Sequence, residues 1–597
     1  MNLSRILAIV TLLSTTASVP TAEAQTYMRN LGTRALEFST EMDRTSDAVP
    51  SYVTVGPRLR FGQLVASWRL DLYVNKFQED GTLLFSHDLR IAGANGAGTV
   101  AYPTSIREAA NGDLLITGLT NAVPNHPIFL ARTDPNGFPL WVQLFGVPAG
   151  TTSGARGAGL EVLEDTDGSL VVVGSLIVEQ GTAQYPVFLR TDAIGNPISL
   201  QTYFDLRFPS ATGAVPSLGW GQFRDVEIAP AGPNSPPGYF VTGFMGTNSP
   251  VTPNAVPFRE LIVARLDQTG NILWLNAYGP QFSQSIGTAI EVTATGGLQI
   301  LGLYQNATQS LRLSISGAPL SHQLIYGFTS LGDIEEIAPE TFVFVGRDAN
   351  IRHEAMMVKM SGNAAGPHLA LDFARGYGAT YVEFFTDVRE TSDQGFLPTG
   401  GTSTWCRGPA DEYLVRTDAA GVVGCHEYDA QLGIEIVQYP VREIPTQPHD
   451  LAQTIANLIV AAPNTHVRFI CPTPVIVPDP TPWDWFVRLD ANGDSQVDVS
   501  DAVHILDHLF NGGQASQPPE AADGNGDGAL DLSDAVFGLT YLFSDGTPPP
   551  APFPNAGPDP AQEIEHVAVP EMLTELLTGI GEVPVGVLGD LSFPAAP

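Results

Sequence analysis

Short apolar stretches ending in glycine punctuate the chain between residues 40 and 430. They read SYVTVG to Gly56, DLLITG to Gly118, SLVVVG to Gly174, YFVTG to Gly243, LQILG to Gly302, TFVFVG to Gly346 and FLPTG to Gly400. Runs this short, rich in branched and aromatic residues and stopped by glycine, predict β-strands rather than helices. Each strand is followed by a phrase with a basic residue five positions before a glycine: KFQEDG at Lys76, RTDPNG at Arg132, RTDAIG at Arg190, RLDQTG at Arg265, RLSISG at Arg312 and RTDAAG at Arg416. KMSG at Lys359 is a weaker copy. The basic residues are 56, 58, 75, 47, 47 and 57 positions apart, which fits one structural unit repeated with surface-loop insertions.

Within the second unit the pattern predicts four strands, near Ser105–Ala110, Asp113–Thr120, Pro127–Thr133 and Pro139–Phe145. Four such strands make one propeller blade, and seven units predict an all-β, seven-bladed propeller. In the D-x-x-G turns, such as Asp134 to Gly137 and Asp192 to Gly195, the Asp side chain accepts backbone N–H bonds and glycine supplies positive φ. The Arg-x-Asp element reads as structural, a turn plus an inter-blade ion pair. Gln78, Ser314 and Ser361 replace its Asp, and Ala364 replaces a turn glycine, which a shared ligand site would not tolerate. The units resemble the bacterial β-propeller repeats of secreted proteins, of the form strand-G followed by R-T-D-x-x-G-x-x-x-W, over residues 40 to 430.

Chemistry is hard to find in this region. Trp141 and Trp274 stand four positions after a turn glycine and read as blade-packing residues. DTDG at Asp165 to Gly168 lacks the later carboxylates of a calcium loop, and no zinc-protease, serine-hydrolase or phosphate-loop phrase stands in its required context.

A different pattern takes over near residue 490. DANGDSQVDVSDAVHILDHLF from Asp490 and DGNGDGALDLSDAVFGLTYLF from Asp523 repeat one phrase 33 residues apart. Asp490, Asn492, Asp494, Asp498 and Asp501 fall at positions 1, 3, 5, 9 and 12, and so do Asp523, Asn525, Asp527, Asp531 and Asp534. This is the ligand spacing of an EF-hand loop, with the backbone carbonyl of position 7 supplied by Gln496 or Ala529. An apolar helical period follows each loop. Val503, Leu506 and Phe510, aligned with Val536, Leu539 and Phe543, are expected to form the core stripe. His504, Asp507 and His508 then form a solvated face, and Phe537, Thr540 and Tyr541 an exposed aromatic one suited to a partner.

Aspartate rather than glutamate at position 12, and a Pro-rich stretch instead of a helix before the first loop, match the type I dockerin family, which residues 484 to 560 resemble. The resemblance implies an EF-hand-like, all-α duplicated loop-helix domain that binds two Ca²⁺ and docks onto a cohesin domain. It places partner-recognition residues at loop positions 10 and 11, here Val499 and Ser500, and Leu532 and Ser533. Phe537 and Tyr541 join them as partner-binding candidates. Position 6 is Ser495 in the first loop and Gly528 in the second. A positive-φ turn costs a non-glycine residue about 1 kcal/mol, so the first site is expected to be the weaker.

The remaining features set the context. Arg5, the apolar run ILAIVTLL and Ala22-Glu23-Ala24 predict a secretory signal over residues 1–24. A net charge of −35, with Lys76 and Lys359 the only lysines, excludes nucleic acid as a partner. Of three cysteines, Cys406 and Cys425 flank one hairpin and are the first choice for a disulfide, with Cys425 to Cys471 the second. The expected division is a propeller domain over 25–474, a Pro-rich linker over 475–483, the dockerin-like domain over 484–560 and an unassigned tail over 561–597. No stretch is long and apolar enough to span a bilayer. The combined expectation is a secreted, non-catalytic binding or scaffolding protein. Its C-terminal module would attach it to a cohesin-like domain or a cell-surface component. The rival is a dockerin-bearing polysaccharide-degrading enzyme, a glycoside hydrolase or lyase with its active site in the propeller.

Overall fold

In a computed structural model of the chain, residues 26–469 and 487–554 are described apart from interior stretches. The longer of these are 33–35, 62–67, 93–99, 123–126, 147–155, 179–182, 204–219, 232–235, 248–257, 280–283, 350–353, 379–381, 405–409, 444–448, 462–465, 517–520 and 527–529; one- and two-residue gaps make up the rest. Residues 1–24, 475–483 and 561–597, where a signal, a linker and a tail are expected, lie outside the described residues, as do Cys406 and Cys471. Contacts divide the chain near residue 471 into two units. No described helix is long and apolar enough to cross a membrane.

The first unit is a seven-bladed β-propeller. The second blade consists of Ala101–Glu108, Leu114–Thr120, Ile128–Thr133 and Pro139–Gly146, within a few residues of the pattern-based expectation. The chain closes the ring on itself. In the last blade Glu383–Glu390, Phe396–Thr402 and Asp411–Arg416 come from late in the sequence. The fourth strand is Tyr27–Gly32, paired with Asp411–Arg416 from Tyr27↔Arg416 to Leu31↔Glu412.

The recurrent strand glycine has a steric cause. In six of the blades the innermost strand carries a bulge opposite it, for example between Gly159 and Glu161 or between Phe385 and Asp387. The bulge aims a carbonyl at the glycine. A Cβ on Gly174 would stand 2.0 Å from the Ala158 carbonyl oxygen, on Gly243 2.0 Å from that of Gln222, and on Gly400 1.9 Å from that of Phe384. Because the obstacle is backbone, no rotamer relieves it. Gly174→Ala is therefore expected to cost about 3 kcal/mol in denaturant unfolding. Gly168→Ala, at a turn with φ +79 and open space around it, should cost only about 1 kcal/mol.

The turn reading holds in detail. Asp134 Oδ1 accepts the N–H groups of Asn136 and Phe138, Asp192 those of Ile194 and Asn196, and Asp418 those of Ala420 and Val422. Gly137, Gly195, Gly270 and Gly421 sit at φ between 74° and 88°. The repeated arginine does two jobs rather than one. Arg132 pairs with Asp113 at 2.7 Å within its own blade and donates to the Ala193 carbonyl in the next blade's turn at 3.0 Å. Arg190 does the same with Asp165, Asp167 and the Gln268 carbonyl, which assigns the DTDG phrase to a turn. Most of these ion pairs thus lie within a blade, and neutral hydrogen bonds reach between blades. The ion pairs of Arg312 with Glu340, in the turn of the next blade, and of Arg416 with Glu79, at the closure of the ring, do cross. Trp141 and Trp274 pack beneath the next blade's turn glycines, Gly195 and Gly317.

After the last blade the chain turns back and travels round the outside of the ring. Glu427–Asp429 adds a fifth strand to the sixth blade, Gly433–Ile436 to the fifth, Val441–Glu443 to the fourth and His449–Asp450 to the third. Ala452–Ala461 pairs first with the second blade and then with the first, and His466–Phe469 ends on Tyr27–Gly32 of the seventh. This belt covers the outer edge that each blade would otherwise expose to strand pairing. Side chains anchor it: Tyr428 donates to Asp348 at 2.9 Å, Tyr439 packs edge-on to His322, and Arg442 grips Glu260 with both terminal guanidinium nitrogens.

Among the described residues the second unit contains two helices, α1 (Val499–Asn511) and α2 (Leu532–Phe543). Leu489, Ala491, Ala502, Ile505, Ala522 and Ala535 form its core, with Leu506, Leu509, Phe537 and Leu539 packed against it. Ala502, Ala535 and Gly538 are small, so the helices approach closely and the bulky residues turn outward. The expected core stripe is corrected accordingly: Val503 and Phe510 are 58% and 67% exposed, Val536 and Phe543 52% and 70%.

Candidate functional site at the propeller axis and in the acidic loops

The seven innermost strands present two layers of side chains around the propeller axis. Three positions before each strand glycine, the paired inner-strand residues are Asp43, Arg107, Leu163, Glu227, Glu291, Glu335 and Arg389. Two residues earlier come Glu41, Ser105, Glu161, Asp225, Ala289, Asp333 and Asp387. Alternation along a strand puts both sets on one face of each blade. Nine carboxylates and two guanidinium groups therefore share the centre of the ring.

The two arginines tie this cluster together. Arg107 Nη2 lies 3.0 Å from Glu41 Oε1 and 3.0 Å from Glu161 Oε1, and 3.7 Å from Asp333 of the sixth blade. Arg389 Nη1 lies 2.5 Å from Asp387, 3.4 Å from Asp333 and 3.6 Å from Glu335. Asp333 thus joins arginines of two other blades. Several carboxylates also accept amides from the next blade, with Met42 N donating to Asp387 at 2.8 Å and Ile290 N to Asp225 at 2.6 Å.

Carboxylates so outnumber guanidiniums here that some hold protons near neutrality. Burial, and then the neighbouring acids, push Glu291 up to about 9. Burial raises Glu227 and Asp387 to about 7 despite their arginine neighbours, and Glu41 and Asp225 well above the usual carboxylate range. A carboxyl whose pKa is higher folded than unfolded binds more protons in the folded state. Its stabilisation is complete below the unfolded value and disappears as pH rises through the folded one. The melting midpoint of the propeller is expected to fall between about pH 5 and about pH 9, and Glu227→Gln should flatten the lower part of that slope. A midpoint rising across this window would contradict the reading.

The acidic loops of the second unit repeat one another bond for bond. Asp501 Oδ2 accepts the Asp498 amide at 2.8 Å and Oδ1 the Asn492 amide at 3.2 Å; Asp534 accepts those of Asp531 and Asn525 at 2.9 and 3.3 Å. Asn492 Nδ2 donates to Ser500 Oγ at 2.8 Å and Asn525 Nδ2 to Ser533 Oγ at 2.9 Å. Gly493 and Gly526, at position 4, sit at φ 74° and 71°. Hydrogen bonds from Ser500 and Ser533 hold Asp498 and Asp531 below the usual carboxylate range, and hence ionised. Asp490, Asn492, Asp498, Asp501 and their counterparts Asp523, Asn525, Asp531 and Asp534 offer the hard oxygen donors that suit Ca²⁺. Asp494, Asp527 and Ala529 lie outside the described residues, as do Ser495 and Gly528. Gln496 is described and exposed.

The residues expected at a partner face divide. Val499 and Leu532 are exposed by 48% and 51% and lie on the same stripes as Val503, Phe510, Val536 and Phe543. Ser500 and Ser533 are engaged within the loops by the bonds above. The expected aromatic face is corrected. Phe537 packs against the core, and Tyr541 meets Phe553 edge-on at 5.4 Å. The buried residues of α2 are Asp534, Ala535 and Gly538; at about 100° per residue Phe537 lies on the flank of that face and Val536 nearer its back. His508 bonds the Gly513 carbonyl at 3.0 Å near the end of α1.

No family model matches the chain, and no curated protein matches it. Among solved structures it is similar to NanB sialidase of Streptococcus pneumoniae, with 9% identity over 66% of this chain and 68% of that one and a TM-score of 0.31. The subtype N11 neuraminidase-like protein of A/flat-faced bat/Peru/033/2010 (H18N11) aligns over 66% and 89% with 10% identity and a TM-score of 0.31. Drosophila Plexin A, in complex with Semaphorin 1b, aligns over 66% and 87% with 8% identity and a TM-score of 0.26. Identities and scores this low carry nothing about the chemistry of this chain.

Proposed function

We propose that this is a secreted binding or scaffolding protein, in which a rigid propeller is displayed through a calcium-folded, dockerin-like module that docks onto a cohesin-like domain. The observation that carries this reading is the duplicated apolar stripe. Val499, Val503 and Phe510 on α1 recur 33 residues later as Leu532, Val536 and Phe543 on α2, all of them exposed. Large apolar side chains facing water at matched positions favour a partner surface over a core. The arginine-bridged axis supports a non-catalytic propeller, since each guanidinium is already committed to several carboxylates.

The test is retention of the full chain on an immobilised cohesin domain with and without calcium. Phe510→Ala with Phe543→Ala should weaken retention at least tenfold and leave the melting midpoint in place, because exposed side chains add little to folding. Equal retention of variant and wild type would sink the docking reading.

A second reading, polysaccharide cleavage at the axis, is favoured by one observation. Glu227 and Glu291, half-buried carboxyls with pKa near 7 and 9, are of the kind that serves as a general acid. Activity on a polysaccharide panel that is lost in Glu227→Gln or Glu291→Gln would establish it over the first reading.

A further inference from the structure

Leu489 is buried, and its backbone stands at φ 76°, in the region that favours glycine. A leucine persists there only where its surroundings over-determine it, and residues so held gather at clamps and switches. The entrance of the second acidic loop does the holding. Leu489 N donates to the Ala521 carbonyl at 2.8 Å. Arg488, also buried, donates from Nη1 to the Asp523 carbonyl at 2.7 Å and lies 3.6 Å from the Asp523 carboxylate. Asp523 opens the second loop, and Asp490, the residue after Leu489, opens the first. One short segment thus joins the first positions of both loops.

The side chain is seated as closely as the backbone. A Cβ on Gly524 would stand 2.3 Å from Leu489 Cδ2, and one on Gly538 3.2 Å from the same atom. Gly524 follows Asp523 in the loop and Gly538 lies in α2, so the leucine fills a socket floored by two glycines. At the equivalent positions of the other half, 33 residues away, stand Ala522 for Leu489, Ala491 for Gly524 and Ile505 for Gly538, all in the same core. A large residue over two glycines in one half is thus exchanged for a small one and larger neighbours in the other. Ala521 stands where Arg488 would recur, so the guanidinium reach runs from the first loop's entrance to the second loop and is not repeated in return.

Without the second loop in place, Leu489 has neither its hydrogen bond nor its socket. Its backbone then relaxes to negative φ, and Asp490, next in the chain, turns with it. We propose that the Arg488–Leu489 segment couples the two acidic loops, so that a cation held in either one orders the other. The coupling rests on the calcium reading given above and adds to it a route between the sites. A cation that fixes Asp523 and Gly524 seats Arg488 and Leu489, and these aim Asp490 at the first site. Linkage makes the effect reciprocal, each site strengthening the other by the same factor, about tenfold. The first loop stays the weaker of the two, because a shared factor does not change their ranking.

Isothermal titration of the full chain with Ca²⁺ alone tests the coupling. The wild type should take up two ions with a Hill coefficient above 1. Arg488→Met keeps the apolar stem and loses the hydrogen bonds, and Leu489→Ala empties the socket. Both should still bind two ions, but with a Hill coefficient of 1 or below, since the loops then fill independently and differ in affinity. Leu489→Met refills the socket and should retain most of the cooperativity. Asp534→Ala should weaken the remaining first site about tenfold in the wild-type background and leave it unchanged in the Arg488→Met background. Should Leu489→Ala fail to fold, Arg488→Met carries the same comparison, because it removes no apolar group from the core. Two ions bound independently by the wild type, or cooperativity undiminished in Arg488→Met, overturns the coupling and leaves the calcium reading standing. No uptake of Ca²⁺ by the wild type removes that reading and the coupling with it.

Discussion

Replacing Arg107 by methionine is expected to lower the stability of the propeller by about 3–5 kcal/mol, because it leaves buried carboxylates without their counter-charge. The long apolar stem would still fill the space, so the loss reports charge rather than packing. Glu41 and Glu161 both lie 3.0 Å from the same guanidinium nitrogen. With Arg107 gone they must share a buried site as neighbouring acids, and one of them must stay protonated. The variant should therefore be most impaired at alkaline pH and recover towards acid. Adding Glu41→Gln and Glu161→Gln should return much of the lost stability, since the cost lies in unpaired charge. A triple variant no more stable than Arg107→Met alone would show that the arginine acts through shape.

How far the sequence foretold this structure depends on what each element's residues had to do. The blades were legible because their strands bury both faces against neighbouring blades, so they read as apolar runs. Their turns need glycine at positive φ and an aspartate to collect amides, as at Asp134 and Gly137. The belt was not legible. Gly433–Ile436 is exposed along its whole length and joins the fifth blade through backbone groups that any sequence supplies. The axial layers were hidden for another reason. Charged residues on strands usually face water, and only the sevenfold register reveals that Arg107, Glu227, Glu291, Glu335 and Arg389 share one level. The alternation in SIRE, DVEI, AIEV and DVRE carried that signal. In the second unit bulk was weighted over phase. Val503 and Phe510 looked like core because they are large, whereas Ala502 and Ala535 are core because they let the helices meet.

Removing calcium is expected to unfold the second unit and leave the propeller standing. The described core of that unit is mostly alanine, with Leu489 and Ile505 its larger members, and so small a core seldom holds a domain together without a metal or another staple. Cation binding supplies folding free energy directly, about 4 kcal/mol for a site held at a thousandfold excess over its Kd. A chelator should therefore abolish the far-ultraviolet helical signal of α1 and α2 and preserve the β-sheet signal, and excess Ca²⁺ should restore the former. Asp501→Ala and Asp534→Ala each remove a donor that also anchors the backbone of its own loop, through the amides of Asn492 and Asp498 or of Asn525 and Asp531. Asp534→Ala should be the more damaging. It spoils the loop with Gly528 at position 6, and the surviving loop then carries Ser495, at a penalty of about 1 kcal/mol, or roughly fivefold in affinity. Helices that persist in chelator would show that the loops are held by their own hydrogen bonds and that the cation is not what folds them, and two variants with equal calcium affinity would overturn the ranking of the two sites.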